Sequence, residues 1–522
     1  MRAMQLESRI AWLIVWTTAA APVLAQTAPE VGITVRTDEV IHVMRGGIGA
    51  SWHAIEAEIP TNVKHPVFAG PAHGGSAWGG NPPADDNARW KQIERHADWL
   101  GLDFIRVEVE QRMWQPQRDR YTWDGPEMRI LYRILDWCEG RKADVFFQVM
   151  WGNVDWNAHP EFRGDPVTRV HSGPQDMQAF GDSLATLMKH LTQTKRYTCI
   201  RWLCINNEPG ADWSWWQAPP NTPMSLRDGL AAVRRSLDRE GMKISLSGPD
   251  WTDLPELKPE KIDFDEFIGA YDLHSYYARF DWAATEGYPL AAAEKRLGGW
   301  RTWATARGKP LFLSELGTMV YGWRTNNAGP ARFESALKDA ELVVRGLNAG
   351  VDGFNRWSFV NRGDLDGQWQ MISTWDQTNK TLLQSISPFP NSYFVYGLIS
   401  RLTAKHSSVV ACETRGGQVD GTNRVFATAL RSPKGHLTWV IVNDAQQAWA
   451  VRLEVNGASG KVLQKYQVTA EQRDQSSLRI EPLNKVRLAK GAANAADVLP
   501  PMSLTIYSTY DLGHAERGVV AE

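Results

Sequence analysis

From about residue 44 to 385 the chain alternates short apolar runs with longer segments of helical period. The runs are GGIGASW (46–52), DFIRVEV (103–109), DVFFQVMW (144–151), IRWLCIN (200–206), KISLSGP (243–249), AYDLHSYY (270–277), PLFLSEL (310–316) and GFNRWSF (353–359). Between them apolar residues recur at steps of three and four, as in Trp90, Ile93, Ala97 and Leu100, or Leu226, Leu230, Val233 and Leu237. The predicted helices carry ordinary punctuation: Pro126 opens one after Asp124-Gly125, Gly241 closes another, and Pro330 opens a third. Strands apolar on both faces and separated by helices make a parallel sheet covered by helices. Eight such units close into a (β/α)8 barrel, an α/β TIM barrel. The rival, a doubly wound open sheet, would want a glycine-rich phosphate turn. GGIGASW has a Gly-x-Gly but neither the third glycine nor an acidic partner.

Beyond NSYFVYGLISRL (391–402) the period falls to two, with turn residues every ten or so positions, which predicts a C-terminal antiparallel β-sandwich domain over 403–522. The catalytic barrel then spans 46–402. The segment 26–45 contains the strand-like VGITVRTDEVIHVM and is placed to pair back into the sandwich. Residues 1–25 read as a secretory signal peptide: Arg2 and Arg9, an apolar stretch from Ile10 to Trp16, and small residues before Ala25. That stretch is too short for a membrane span, no other segment reaches spanning length, and export to the periplasm or the medium is the expectation.

Charge narrows the partners. Lys and Arg number 57 against 59 Asp and Glu, without a polybasic run, which speaks against nucleic acid and anionic membranes and for a neutral ligand. The 25 Trp are the least ordinary feature. Some fill a large core; others sit beside Gly, Asn and Asp in strand-to-helix loops, where they offer platforms for sugar rings. Trp151, Trp156, Trp213, Trp215, Trp216 and Trp323 sit in or beside such loops, and about half of them are expected to contact substrate. The four Cys, without a CxxC or clustered His, argue against zinc, and SWHAI has one histidine where a metal-dependent barrel hydrolase would want a pair. No cofactor and no metal are expected, and no feature specifies an oligomeric state.

Barrel enzymes place their chemistry at the carboxyl ends of strands. There the fourth strand ends in Asn206, Asn207 and Glu208, the seventh in Glu315, and the second carries Arg106, Glu108 and Glu110, while the sixth offers His274 and Tyr276 and the eighth Trp357. Glu208 and Glu315 are 315 − 208 = 107 positions apart, three βα units, so closure of the barrel sets them across its mouth. Breaking a glycosidic bond takes one carboxylic acid to protonate the leaving oxygen and a second carboxylate to attack or to activate water. Pro209 ends the strand ladder directly after Glu208.

NNEPG on the fourth strand, HSYY on the sixth and LSELG on the seventh resemble clan A of the glycoside hydrolases, the retaining (β/α)8 enzymes. A barrel followed by a β-sandwich is similar to families thirty and thirty-nine, and the His-x-Tyr to family five. The resemblance covers the barrel by motif and the sandwich by architecture. It implies Glu208 as general acid/base and Glu315 as nucleophile, with Asn207 on the 2-hydroxyl and Tyr276 and Arg106 beside the nucleophile. It further implies that His274 lines the site, that Trp357 floors the cleaved sugar, and that cleavage proceeds through a covalent glycosyl-enzyme with retention. Trp151 and Trp213 are added as substrate-binding candidates from their loop positions. An Arg and a Tyr near Glu315 should favour its ionised form, whereas Glu208 must start protonated. The long loops after the third and eighth strands are large enough to wall off one end of a groove, favouring chain-end cleavage. Arg356 stands outside the clan pattern; pointing inward, it would suit an acidic or heavily hydroxylated sugar. The alternative to an enzyme is a non-catalytic carbohydrate-binding barrel protein, against which the intact Glu208 and Glu315 argue.

Overall fold

The computed structural model describes residues 28–57, 79–211, 214–277, 290–319, 329–363, 367–458, 460–470, 482–488, 494–512 and 515–519. The signal peptide expected over 1–25 lies outside them. No helix among the described residues is long and apolar enough to cross a membrane.

After a first strand β1 (Glu30–Val43) come the barrel strands: β2 (Ile48–His53), β3 (Phe104–Glu110), β4 (Asp144–Trp151), β5 (Ile200–Cys204), β6 (Ser245–Trp251), β7 (Ala270–Tyr277), β8 (Leu311–Thr318) and β9 (Gly353–Val360). Each is parallel to its neighbour, and β9 pairs with both β8 and β2, which closes the ring. β3, β4, β8 and β9 are buried along their whole length, as strands with barrel interior on one face and helices on the other must be.

The longer helices are α1 (Asn87–Leu100), α2 (Pro126–Arg141), α3 (Met177–Lys189), α4 (Leu226–Arg239), α5 (Leu290–Ala306), α6 (Phe333–Ala349) and α7 (Pro390–Arg401). α1 shows how the sequence sets such boundaries. The Asp86 side chain accepts from the Arg89 N–H at its start, and Gly101 takes the left-handed conformation (φ 65°) that ends it. Between β6 and β7 the alternation breaks: Pro259–Lys261 and Asp265–Phe267 form 3₁₀ turns where a helix would complete the outer layer. After β9 the chain folds into a hairpin, β10 (Ile372–Asp376) with β11 (Thr381–Pro388), before α7.

The second sheet has β1 in its interior. β1 pairs antiparallel with β12 (Ser408–Gly416) and parallel with the strand Trp449–Asn456; the other pairings described in this sheet are antiparallel. Val31, Ile33 and Val35 alternate inward, and join Trp439, Ile441, Trp449 and Leu453 in a core separate from the barrel's. α6 docks this sheet to the barrel: Lys338 pairs with Asp444, the Asn348 amide donates to Ala427 O (2.9 Å), and Arg345 lies 4.1 Å over the Phe426 ring.

Candidate active site

Inside the barrel, side chains two apart on a strand share a face, so β3 sends Phe104, Arg106 and Glu108 inward in turn. Near the amino ends of their strands Phe104, Phe146, Phe312 and Ala270, together with Cys204 at the end of the short β5, make an apolar plug. One pleat further on the lining turns ionic. Arg106 is fully buried, and its Nη1 bonds both Glu108 and Glu315, while Nη2 donates to Asn207 Oδ1 at 2.8 Å and stands 3.7 Å from Asp250. Glu108 in turn meets His53 at 2.5 Å.

Glu315 reaches the mouth through an irregularity. Leu273 pairs with Leu313, but His274 pairs with Glu315, so one extra residue on β8 lets Ser314 and Glu315 both face the interior. Its carboxylate takes Arg106 on one oxygen and the Tyr276 hydroxyl on the other. Glu208, just past β5, has φ 44°, a left-handed setting uncommon outside glycine. Its Oε1 lies 2.9 Å from His274 Nδ1, and Glu315 Oε2 lies 3.5 Å from the same nitrogen. One carboxylate oxygen from each of Glu208 and Glu315, together with the His274 ring nitrogen, fall within 4.8 Å of one another.

The structure therefore brings Arg106, Asn207, Glu208, His274, Tyr276 and Glu315 into one cluster. Trp357 adjoins it: the Arg106 guanidinium is 5.9 Å from its ring centroid, and His53 meets the ring edge to face at 4.7 Å. Trp151 closes β4 opposite Glu110 and is buried. Trp213 and Trp323 fall outside the described residues. Trp215 and Trp216 are not platforms. They pack on each other and on Phe180 (centroids 5.2 to 5.9 Å apart), 0 % and 5 % exposed; Gly229 has no Cβ to exclude the Trp216 ring, and Gly152 none to exclude that of Trp215. Trp369, from the loop after β9, packs against Tyr276 (5.5 Å). Arg356 faces the helix layer: its Nε donates to Asp339 of α6 (2.8 Å) and its Nη1 to the carbonyls of Trp357 and Trp369, so the inward orientation that would suit an acidic sugar is not the one observed.

Residues that the strand pattern did not single out complete the cluster. Asp250, fully buried on β6, accepts from His274 Nε2 (2.9 Å), Gln148 Nε2 (3.0 Å) and Ser314 Oγ (3.2 Å). Asp272 sits behind it, also fully buried, and with Cys204 these carboxyls converge within 4.8 Å. The expected fifth strand stopped at Pro249, one residue short; the polar residue directly after an apolar run was the signal.

Electrostatics divides these acids. Burial would push Asp250 up, yet His274 and Arg106 outweigh it and hold Asp250 below the usual carboxylate range. Burial and the Asp250 charge push Asp272 well above it. Burial opposes the charge on His274, but Asp250 and Glu315 raise it well above the ordinary imidazole value. Glu315 departs from the expectation of a readily ionised nucleophile. Its burial exceeds the help from His274 and Arg106, and with Glu208 adding repulsion it is pushed up to about 7. Glu208, His274 and Glu315, and likewise Cys204, Asp250 and Asp272, are spaced as metal ligands could be. The Arg106 charge on Glu315 and beside Asp250 opposes a cation in either place.

No protein-family model matches the chain, and no curated protein matches it in sequence. Solved structures do match in shape. A family 30 endoxylanase from Clostridium papyrosolvens superposes with a TM-score of 0.58 at 10% identity, over 91% of this chain and 99% of that one. An α-L-arabinofuranosidase from Thermotoga maritima gives 0.59 at 14% identity, over 92% and 99%. A conserved exported protein from Bacteroides fragilis gives 0.62 at 12% identity, over 91% and 99%. This chain has their fold. The likeness runs through both domains, so the barrel followed by a sandwich is the architecture of the family 30 enzyme as well as of this chain.

Proposed function

We propose that the protein is an exported retaining glycoside hydrolase, cleaving a β-linked glycoside or polysaccharide by double displacement. The observation that carries the reading is the convergence of one carboxylate oxygen from each of Glu208 and Glu315 within 4.8 Å, at the carboxyl ends of β5 and β8. A separation of about 5 Å suits direct attack on the anomeric carbon, whereas inverting enzymes hold their carboxyls roughly 6.5–9.5 Å apart to admit a water. In this reading Glu315 attacks and Glu208 gives its proton to the leaving oxygen. Glu208 then takes a proton from the water that frees the sugar from Glu315. Arg106 and Tyr276 hold the Glu315 oxygens in line. Arg106 also occupies Asn207 Oδ1, which leaves the Asn207 amide N–H groups to serve a sugar hydroxyl. The endoxylanase and arabinofuranosidase among the structural neighbours support a sugar substrate. No cofactor takes part in the steps. The leader pattern over 1–25 supports export.

A panel of aryl glycosides and polysaccharides finds the sugar, and proton NMR of the first-formed product reads its anomer. Retention is expected. An inverted anomer refutes the double displacement, and a panel without turnover favours the binding-protein alternative.

A further inference from the structure

We propose that Asp250 is a positioning residue for this reaction: it holds His274 by Nε2 so that Nδ1 meets Glu208 and sets where the acid/base proton resides. The inference rests on the reading of Glu208 as acid/base. Both ring nitrogens of His274 lie 2.9 Å from a carboxylate oxygen, Nε2 from Asp250 Oδ1 and Nδ1 from Glu208 Oε1. A neutral imidazole has one N–H and a charged one two. Either His274 is an imidazolium, or one of the two carboxyls carries the proton on its contact.

Asp250 is the ionised partner. Oδ1 also accepts from Ser314 Oγ at 3.2 Å, and Oδ2 faces Gln148 Nε2 at 3.0 Å, the Glu208 backbone N–H at 3.4 Å and Arg106 Nη2 at 3.7 Å. An oxygen pair surrounded by donors is occupied as an acceptor. Nε2 therefore keeps its hydrogen, and the remaining proton is shared between Nδ1 and Glu208. The other charged groups facing the ring are Glu315, with Oε2 3.5 Å from Nδ1, Arg106, with Nη2 3.5 Å from Nε2, and Asp272 two residues earlier on β7.

The backbone supports a role for this side chain. Asp250 is the extra residue where β6 slips against β7, Pro249 pairing with Asp272 and Trp251 with Leu273, and its φ is 60°. A glycine would adopt that conformation freely; an aspartate held there costs strain, and such strain concentrates at functional sites. Asp250 and Glu208, both left-handed at adjacent strand ends, are joined directly through the Glu208 N–H.

The test is Asp250→Asn, near-isosteric but uncharged. Expected are a fall in kcat of about 10- to 100-fold, the usual reach of a residue acting through another, little change in KM, and a basic limb of the pH–kcat profile at lower pH. The sign follows from removing a negative charge that favours protonated neighbours. In ¹⁵N-histidine-labelled wild type, His274 should show a protonated Nε2, and Asp250→Asn should shift that signal. An Asp250→Asn enzyme with wild-type kcat and pH profile overturns the proposal while the glycosidase reading stands. Should the variant fail to fold, the wild-type spectrum decides, since a bare Nε2 overturns the proposal equally. Absence of glycosidase activity in the wild type sinks the underlying reading, and the nitrogen spectrum still tests the Asp250–His274 contact.

Discussion

The lower and upper layers of the barrel interior are built by the same strands and have opposite chemistry. Phe104, Phe146 and Phe312 pack edge to face or tilted, with Trp202 4.8 Å from Phe312. Two residues further along, roughly 6.6 Å of strand, the same inward face carries Arg106, Gln148 and Ser314. The lower layer stabilises the fold by removing aromatic surface from water. Removing the charges of the upper layer from water costs free energy that their mutual attraction only partly returns. In the proposed reading it is retained because catalysis needs charged groups held in fixed geometry with little water. Fold and function are thus stacked along one axis, and changes to the two layers should separate in their effects.

The largest separation is expected at Glu315. Glu315→Gln keeps the shape and removes the attacking oxygen's charge, so turnover on an activated aryl glycoside should fall by about 10⁴-fold or more while the melting transition remains cooperative. Retention of even a few per cent of activity by pure variant would place the nucleophile elsewhere. Glu208→Ala comes next, losing about 10²- to 10⁴-fold on a substrate with a poor leaving group. Because the cavity it leaves admits a small anion, azide should restore part of the rate and yield a glycosyl azide of retained configuration. Phe146→Ala breaks the lower layer. Its expected cost is about 3–5 kcal/mol of stability, read from denaturant unfolding, with little change in activity per folded molecule. A comparable loss of turnover at full folding would show that the layers are not independent.

The barrel was legible because both of its signals are periodic and redundant. Eight apolar runs and the intervening three-four spacings each repeat the same statement, and the strand ranges they predict agree with the observed ones to within a few residues. The convergence of the two glutamates was legible for a related reason: each is a charge at the end of an apolar run. Asp250 was not, because it depends on register. It enters the interior at a slip in the ladder between β6 and β7, and a slip has no period. Trp215 and Trp216 show the opposite failure. Loop position made them candidates for platforms, but Gly229 leaves room for the Trp216 ring and Gly152 for the Trp215 ring, and both lie in the core. Arg356 turned outward to Asp339, a partner on α6 that no local pattern announces.

The smallest effect is the most specific test of the upper layer, because it reads one charge through another. In the proposed mechanism Glu315 must be ionised to attack, and burial with the Glu208 charge pushes it up to about 7. In the wild type kcat/KM should therefore fall by about tenfold for each pH unit below that value. Replacing Glu208 by Gln removes the repulsive charge, while the help from His274 and Arg106 remains, so Glu315 should ionise at lower pH. The step to follow is formation of the glycosyl-enzyme from a substrate whose leaving group needs no acid, such as a dinitrophenyl glycoside, measured as the burst of released phenol. Its acid limb should move to lower pH in Glu208→Gln. A limb that stays in place would mean that Glu208 is already uncharged when Glu315 titrates, so that the proton lies on the Glu208 side of its contact with His274 throughout that range.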